Sequence, residues 1–215
     1  MLKNMYAKIS FIFVLFLLLG SVPAIPVTGF ELQGFAAEAV ITPDLTLEEF
    51  ANEVVNGNES QIVGVYVEDT FAYPIIQQPV NNPAFVSTKE GKVTQFSTAS
   101  RYDSIGLIAH NTLAGADFSL LRVGDLITLV NGDSSARTYS ITQIKQYQAL
   151  SPTSPYSAFV DLDDPSTTLS VATVFTNVYA AKDRLVLQTC IEKDGIDSWG
   201  RLFIIAEPVE PAVQP

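Results

Sequence analysis

The chain has one cysteine, one histidine, one tryptophan and two methionines in 215 residues. A lone cysteine excludes an intramolecular disulfide, and one Cys with one His falls short of the ligand set of a zinc site. Cations are also scarce: 12 Lys and Arg stand against 23 Asp and Glu, a formal charge of −11. The charge becomes −13 once residues 1–24 are set aside, because that stretch holds Lys3 and Lys8 and no acid. Binding a phosphate backbone needs clustered Lys and Arg to displace counterions, so nucleic acid is not an expected partner. There is no phosphate-cradling glycine loop, no internal repeat and no low-complexity tract. What is abundant is apolar: 47% of residues are hydrophobic and only 16% charged, enough for a packed core. The length suits one domain with appendages.

The longest hydrophobic run lies at the start. "MLKNMYAKIS" supplies a positive region, "FIFVLFLLLG" a short apolar one, and "SVPA" places Val22 and Ala24 as at a cleavage site. A second small-residue site, "AEA", lies farther on, at residues 37–39. The run is shorter than the roughly 20 residues that span a bilayer, although Ser21–Ile25 extends it. Cleaved signal and retained anchor both fit. Either predicts an extracytoplasmic, cell-surface location, anchored or secreted, with membrane contact only through this segment. The expected division is 1–24 signal or anchor, 25–60 linker and short helix, 61–207 folded domain, and 208–215 a Pro-rich tail.

Within 25–60, "TLEEFANEVVNG" predicts a helix over about 47–56. Thr46 and Glu49 are spaced as a capping box, Asn56-Gly57 is a stop, and Leu47, Phe50 and Val54 form the buried face. From Gln61 the period becomes that of strands. "QIVGVYV", "FAYPII", "KVTQFST", "SIGLIAHN", "LITLV" and "ARTYSITQIKQY" follow, with "RLVLQT" and "RLFIIA" last. "ADFSLLRVGD" holds one helical turn at most. "NGD" at 131–133 is a hairpin signal, since Asn-Gly accepts the positive φ of such turns. "SPTSPYS" is a loop, and "TTLSVATVFTNVYA" is β-branched enough to be a strand. Many short strands with peripheral helix predict an all-β barrel or sandwich.

Three residues are candidates for chemistry. On "RLVLQTC", Val186, Gln188 and Cys190 share one face and Leu185, Leu187 and Thr189 the other. Cys190 falls where this strand is expected to end, and residues 191–200 read as a polar, glycine-containing loop. If the flanking strands pair antiparallel, Arg201 returns level with Cys190. His110 likewise ends a strand, on the face of Ser104 and Ile108. A filler cysteine, a core histidine and a solvated arginine are the structural alternatives taken singly. All three at strand ends point to a site: a thiolate nucleophile favoured by nearby cations, a proton carrier and an oxyanion donor. "DLDD" at 161–164 lacks the spacing of a calcium loop and reads as a solvated acidic turn, and "NES" at 58–60 is a glycosylation sequon.

"VLQTC" followed eleven residues later by "RLFIIAEP" resembles the TLxTC…R signature of the sortase family of cysteine transpeptidases. "GLIAHNTLAGADFSLLRVGDLITLVNG" is similar to that family's histidine region. The resemblance runs from about residue 62 to 207 and departs at Val186, where the family has Thr, and at Asn111, where many members carry Arg. It implies a closed eight-stranded β-barrel with short peripheral helices and an N-terminal helix, and it would accept a short helix in "TTLSVATVFTNVYA". It also implies a groove bordered by residues 151–183. Cys190 would be the nucleophile, His110 the acid/base and Arg201 a donor to substrate or oxyanion. The implied partners are surface proteins bearing a sorting motif and an amine acceptor on peptidoglycan or a pilin. No cofactor is implied, and calcium modulation has no sequence support. A catalytically silent barrel serving as a binding or assembly module is the alternative, and a hydrolytic peptidase would use the same trio. "IPVTGF" at 25–30 superficially resembles a sorting motif beside the signal.

Overall fold

The computed structural model describes residues 45–210. The export segment, the cleavage sites, the irregular stretch before the helix, "IPVTGF" and residues 211–215 of the tail lie outside the described residues. In chain order come α1 (Leu47–Val54), β1 (Ile62–Val67), β2 (Phe71–Gln77) and β3 (Val93–Gln95). A 3₁₀ segment (Ser97–Tyr102), β4 (Ile105–Ile108) and a second 3₁₀ segment (Ala114–Leu120) follow. Then come β5 (Leu126–Asn131), β6 (Ala136–Ala149), β7 (Phe159–Asp161), β8 (Thr168–Leu169), α2 (Val171–Tyr179), β9 (Leu185–Lys193) and β10 (Ile196–Pro208). Among the described residues no helix is long and apolar enough to cross a membrane.

Strand pairing follows the order β10-β9-β4-β3-β2-β1-β5-β6, and β10 also pairs with β6. Those eight strands therefore close on themselves: the fold is an eight-stranded barrel, with β7 and β8 added as a hairpin on the outer part of β6. Most pairs are antiparallel, but β2–β3 and β4–β9 are parallel. Closure removes the free sheet edges that would invite association.

Alternation along the strands sorts side chains into two layers. Val65, Phe71, Leu107, Leu129, Leu187, Leu202 and Ile204 fill the interior. Val186, Phe203 and Ile205 face outward and are covered by Val174, Val178 and Tyr179 of α2. The apolar runs in β9 and β10 are continuous because both faces are buried there. A third cluster, Phe50, Ala51, Val63, Ala72 and Val130, lies where α1 straps the barrel.

Helix α1 carries the expected capping box, with Glu49 N donating to Thr46 Oγ1 and Glu49 accepting from Thr46 N. It ends at Val54, two residues earlier than the spacing predicts. The β-branched stretch forms mostly helix, not strand: Ser170 Oγ caps it by accepting from Thr173 N. Val171, Val174, Phe175, Val178 and Tyr179 then fall on one face at helical spacing and pack on the outer cluster. Burial outweighed intrinsic preference.

Two turn expectations need correction. The β5–β6 hairpin places its positive φ at Ser134 (70°), not at Asn131-Gly132. Gly132 serves a close approach: a Cβ there would lie 2.0 Å from Asn56 Oδ1 and 2.5 Å from the Asn58 carbonyl. Its own carbonyl accepts from the N–H groups of Asn56 and Gly57, so the hairpin ties down the exit of α1. Nor is 191–200 a ten-residue loop. Asp194 and Gly195 (φ 55° and 78°) make a two-residue turn, so β9 runs three residues past Cys190 and β10 begins at Ile196.

Candidate active site

Cys190 is half-buried on β9, on the outward face with Val186 and Gln188. It lies within the strand rather than at its end. The antiparallel register sets Arg201 of β10 directly opposite it, and Tyr147 of β6 opposite Arg201 on the far side. Directly opposed residues of an antiparallel pair project to the same face, so Tyr147, Arg201 and Cys190 form a row across three strands.

The histidine arrives by a different route. β4 runs parallel to β9, with Ile105 to Ile108 opposite Leu185 to Gln188. The chain leaves the ladder at Ala109, whose N–H donates to the Gln188 carbonyl at 3.2 Å. Buried Thr189 donates its hydroxyl to the Ala109 carbonyl at 3.0 Å. His110 follows Ala109 at once, as Cys190 follows Thr189. Its strand stops at Ile108, two residues sooner than expected, because the backbone turns: Leu113 N and Gly115 N both donate to the His110 carbonyl, at 2.9 and 3.0 Å.

Gly115 makes that turn possible. A Cβ at this position would lie 2.4 Å from Thr189 Oγ1 and 2.7 Å from the carbonyl oxygens of Ala109 and His110. Gly115→Ala therefore has to displace the histidine segment from β9. We expect a destabilisation on the order of 1–3 kcal/mol, read from a thermal melt, with reduced reactivity at Cys190. An unchanged melt would show that the segment yields freely.

Asn111, one of the two departures from the sortase pattern, donates through Nδ2 to the Asp197 carbonyl at 3.0 Å. Asp197 sits in the irregular part of β10, where the register with β9 shifts between Ile196 and Gly200. Arg201 holds the same bulge. Its Nη1 donates to the carbonyls of Ser198 and Gly200, both at 2.8 Å, and its Nη2 to the Pro152 carbonyl at 3.2 Å. Three of its five N–H groups are thus engaged by the protein's own backbone. The Pro152 contact brings the 151–157 loop to the site, with Tyr156 85% exposed on it. From the other side, the Tyr179 hydroxyl of α2 donates to Gln188 Oε1 at 2.8 Å. The 151–183 region thus touches the Cys190 neighbourhood at two points.

Sequence reasoning named Cys190, His110 and Arg201; strand pairing sets Arg201 opposite Cys190, and His110 lies two residues past the last paired residue of β4. It missed Thr189, Gly115, Gln188 and Tyr179. A polar Gln in an otherwise apolar strand was the available signal. The acidic turn is self-satisfied: Asp161 accepts from Asp163 N, Asp163 from Lys145, and Asp164 from Ser166 and Thr167, which hold its carboxyl below the usual range. No group of three or more metal-ligating side chains occurs among the described residues. The sequon is exposed, with Ser60 donating to Asn58 Oδ1. A separate cleft lined by Leu45, Leu47, Tyr66, Asp69, Leu126 and Thr138 contains none of the trio.

Fold and site together define a closed β-barrel bearing a Cys and an Arg on paired strands and a His just past the end of a third. No protein-family model matches the chain, and no curated protein matches it. Among solved structures it is similar to a lid mutant of Streptococcus agalactiae sortase C1, at 15% identity and TM-score 0.47 over 74% of each chain. Streptococcus suis sortase C1 gives 15% identity and 0.47 over 78% of this chain and 80% of that one. For Listeria monocytogenes sortase A the values are 14% and 0.44, over 69% of this chain and 88% of that one.

Proposed function

We propose that this chain is an exported sortase-type cysteine transpeptidase. One observation supports the reading: the β9–β10 register puts Arg201 opposite Cys190, while the contacts of Ala109 with Gln188 and Thr189 hold the histidine segment against the same strand. The sulfur of Cys190 attacks the carbonyl carbon of a threonine in a sorting motif. The C–N bond breaks, His110 gives its proton to the departing amine, and a thioester remains. An amine on peptidoglycan, a pilin or another surface protein then attacks, His110 takes its proton, and the C–S bond breaks. The N–H groups of Arg201 not engaged by backbone carbonyls face the substrate or oxyanion. The N-terminal signal-like segment supports a cell-surface location.

The test is mass spectrometry of the protein incubated with sorting-motif peptides, with and without an added amine. A transpeptidase gives an acyl adduct and, with amine, a transfer product. Hydrolysis alone, unaffected by amine, would make it a peptidase.

The engagement of Arg201 by three backbone carbonyls favours a second reading, a silent barrel used for binding or assembly. Thiol probes separate the two. An active site labels quickly with a pH dependence of its own, whereas a filler cysteine stays inert until the protein unfolds.

A further inference from the structure

Gln188 stands one pleat before Cys190 on the outward face of β9, between Ile108 of β4 and Phe203 of β10. Its neighbours on that face, Val186 and Phe203, are buried and apolar, yet Gln188 itself is only half-buried. The Tyr179 hydroxyl donates to its Oε1 at 2.8 Å. Tyr179 is 0% exposed, enclosed by Phe96, Tyr102, Phe175 and Phe203.

That contact fixes the carboxamide. Burial pushes the Tyr179 phenol far above its ordinary range, so it remains a protonated donor at any working pH. A buried O–H left without an acceptor is costly, and of the two ends of a carboxamide only the oxygen accepts. No buried side-chain polar atom among the described residues lacks a partner, consistent with this orientation. Oxygen toward the aromatic cluster means that Nε2, with two N–H donors, is turned away from it. Arg201 meanwhile has three donors engaged by Ser198, Gly200 and Pro152.

We infer that Gln188 is a substrate-binding residue: its Nε2 donates to a carbonyl oxygen of the acyl group presented to Cys190, and Tyr179 is the positioning residue that aims it. The inference rests on Cys190 being the nucleophile, but it can be tested without a known peptide. Iodoacetamide carries a carbonyl next to its reacting carbon, and allyl bromide has no acceptor oxygen. In both reactions the Cys190 sulfur forms an S–C bond and halide leaves, so only carbonyl recognition differs.

Second-order alkylation rates of the full chain with each reagent decide the matter. Gln188→Met keeps the length of the side chain and removes the donors. The iodoacetamide rate should fall about three- to tenfold, the range of one neutral hydrogen bond, while the allyl bromide rate stays within about twofold. Tyr179→Phe should lower the iodoacetamide rate in the same sense by a smaller factor, and the double variant should match Gln188→Met. With a peptide that turns over, Gln188→Met should raise KM and leave kcat unchanged. Equal changes with both reagents, no change with either, or no alkylation of Cys190 in the native protein would each overturn the assignment. A selective iodoacetamide effect in a protein that never acylates would support the donor role of Gln188 and reject transpeptidation.

Discussion

Cys190→Ala is expected to abolish the acyl adduct and all turnover, and His110→Ala to lower turnover by about 10²–10⁴-fold while leaving the thiol present for slow alkylation. The asymmetry follows from what each residue supplies. In the proposed reaction the sulfur forms the bond and has no substitute, since this is the chain's one cysteine. There the imidazole would move a proton to the leaving amine, a step that water performs poorly. Reaction of wild type and both variants with a sorting-motif peptide, followed by intact mass and by product release, reads both effects. Full activity in Cys190→Ala would remove the nucleophile from the scheme, and with it the reading of this protein as a cysteine transpeptidase.

Arg201→Lys carries the second large effect. A planar guanidinium reaches the carbonyls of Ser198, Gly200 and Pro152 together. An ammonium carries its three donors on one tetrahedral nitrogen and cannot span those directions. The substitution should therefore loosen the bulge that holds Asn111 and free the 151–157 loop. Activity is expected to fall about 10²–10³-fold, as when an oxyanion donor is lost. The melting temperature should also drop, by about 2–4 °C for each kcal/mol removed in a domain of this size. The two readouts separate the roles. A drop in melting temperature with normal activity would mark Arg201 as a strut alone, and lost activity with an unchanged melt would mark it as a donor alone.

An all-β domain with an N-terminal helix was legible because strand alternation from Ile62 onward and the helix start at Thr46 are local signals, whereas the closed eight-stranded ring was implied only by the resemblance to sortases. Arg201 was expected opposite Cys190 from antiparallel return across residues 191–200; the structure reaches that pairing through the register shift between Ile196 and Gly200, without which the Asp194-Gly195 turn would set Trp199 opposite Cys190. Elsewhere the sequence misled where the turn chemistry was misread. Asp194-Gly195 is as good a hairpin signal as Asn131-Gly132, and treating 191–200 as a loop hid the extension of both strands. Asn131-Gly132 in turn does a job no local rule reveals, because Gly132 answers to Asn56 and Asn58 far upstream. The helical state of Val171–Tyr179 depends on the outer face of β9 and β10, which exists only in the assembled fold. Thr189, Gly115 and Gln188 were overlooked for a related reason: Thr189 acts through Ala109 and Gly115 through its close approach to Thr189, both far apart in the chain, and Gln188 meets Tyr179 only once α2 folds back on the barrel.

β10 both seals the ring against β6 and contributes the guanidinium. A growing polypeptide that does not yet include this strand thus has an open sheet and, on the proposed reading, an incomplete reaction centre at the same time. Pairings this distant along the chain form late and slowly. On that reading reactivity is coupled to completion, and an unfinished copy carries the thiol without the guanidinium opposite it.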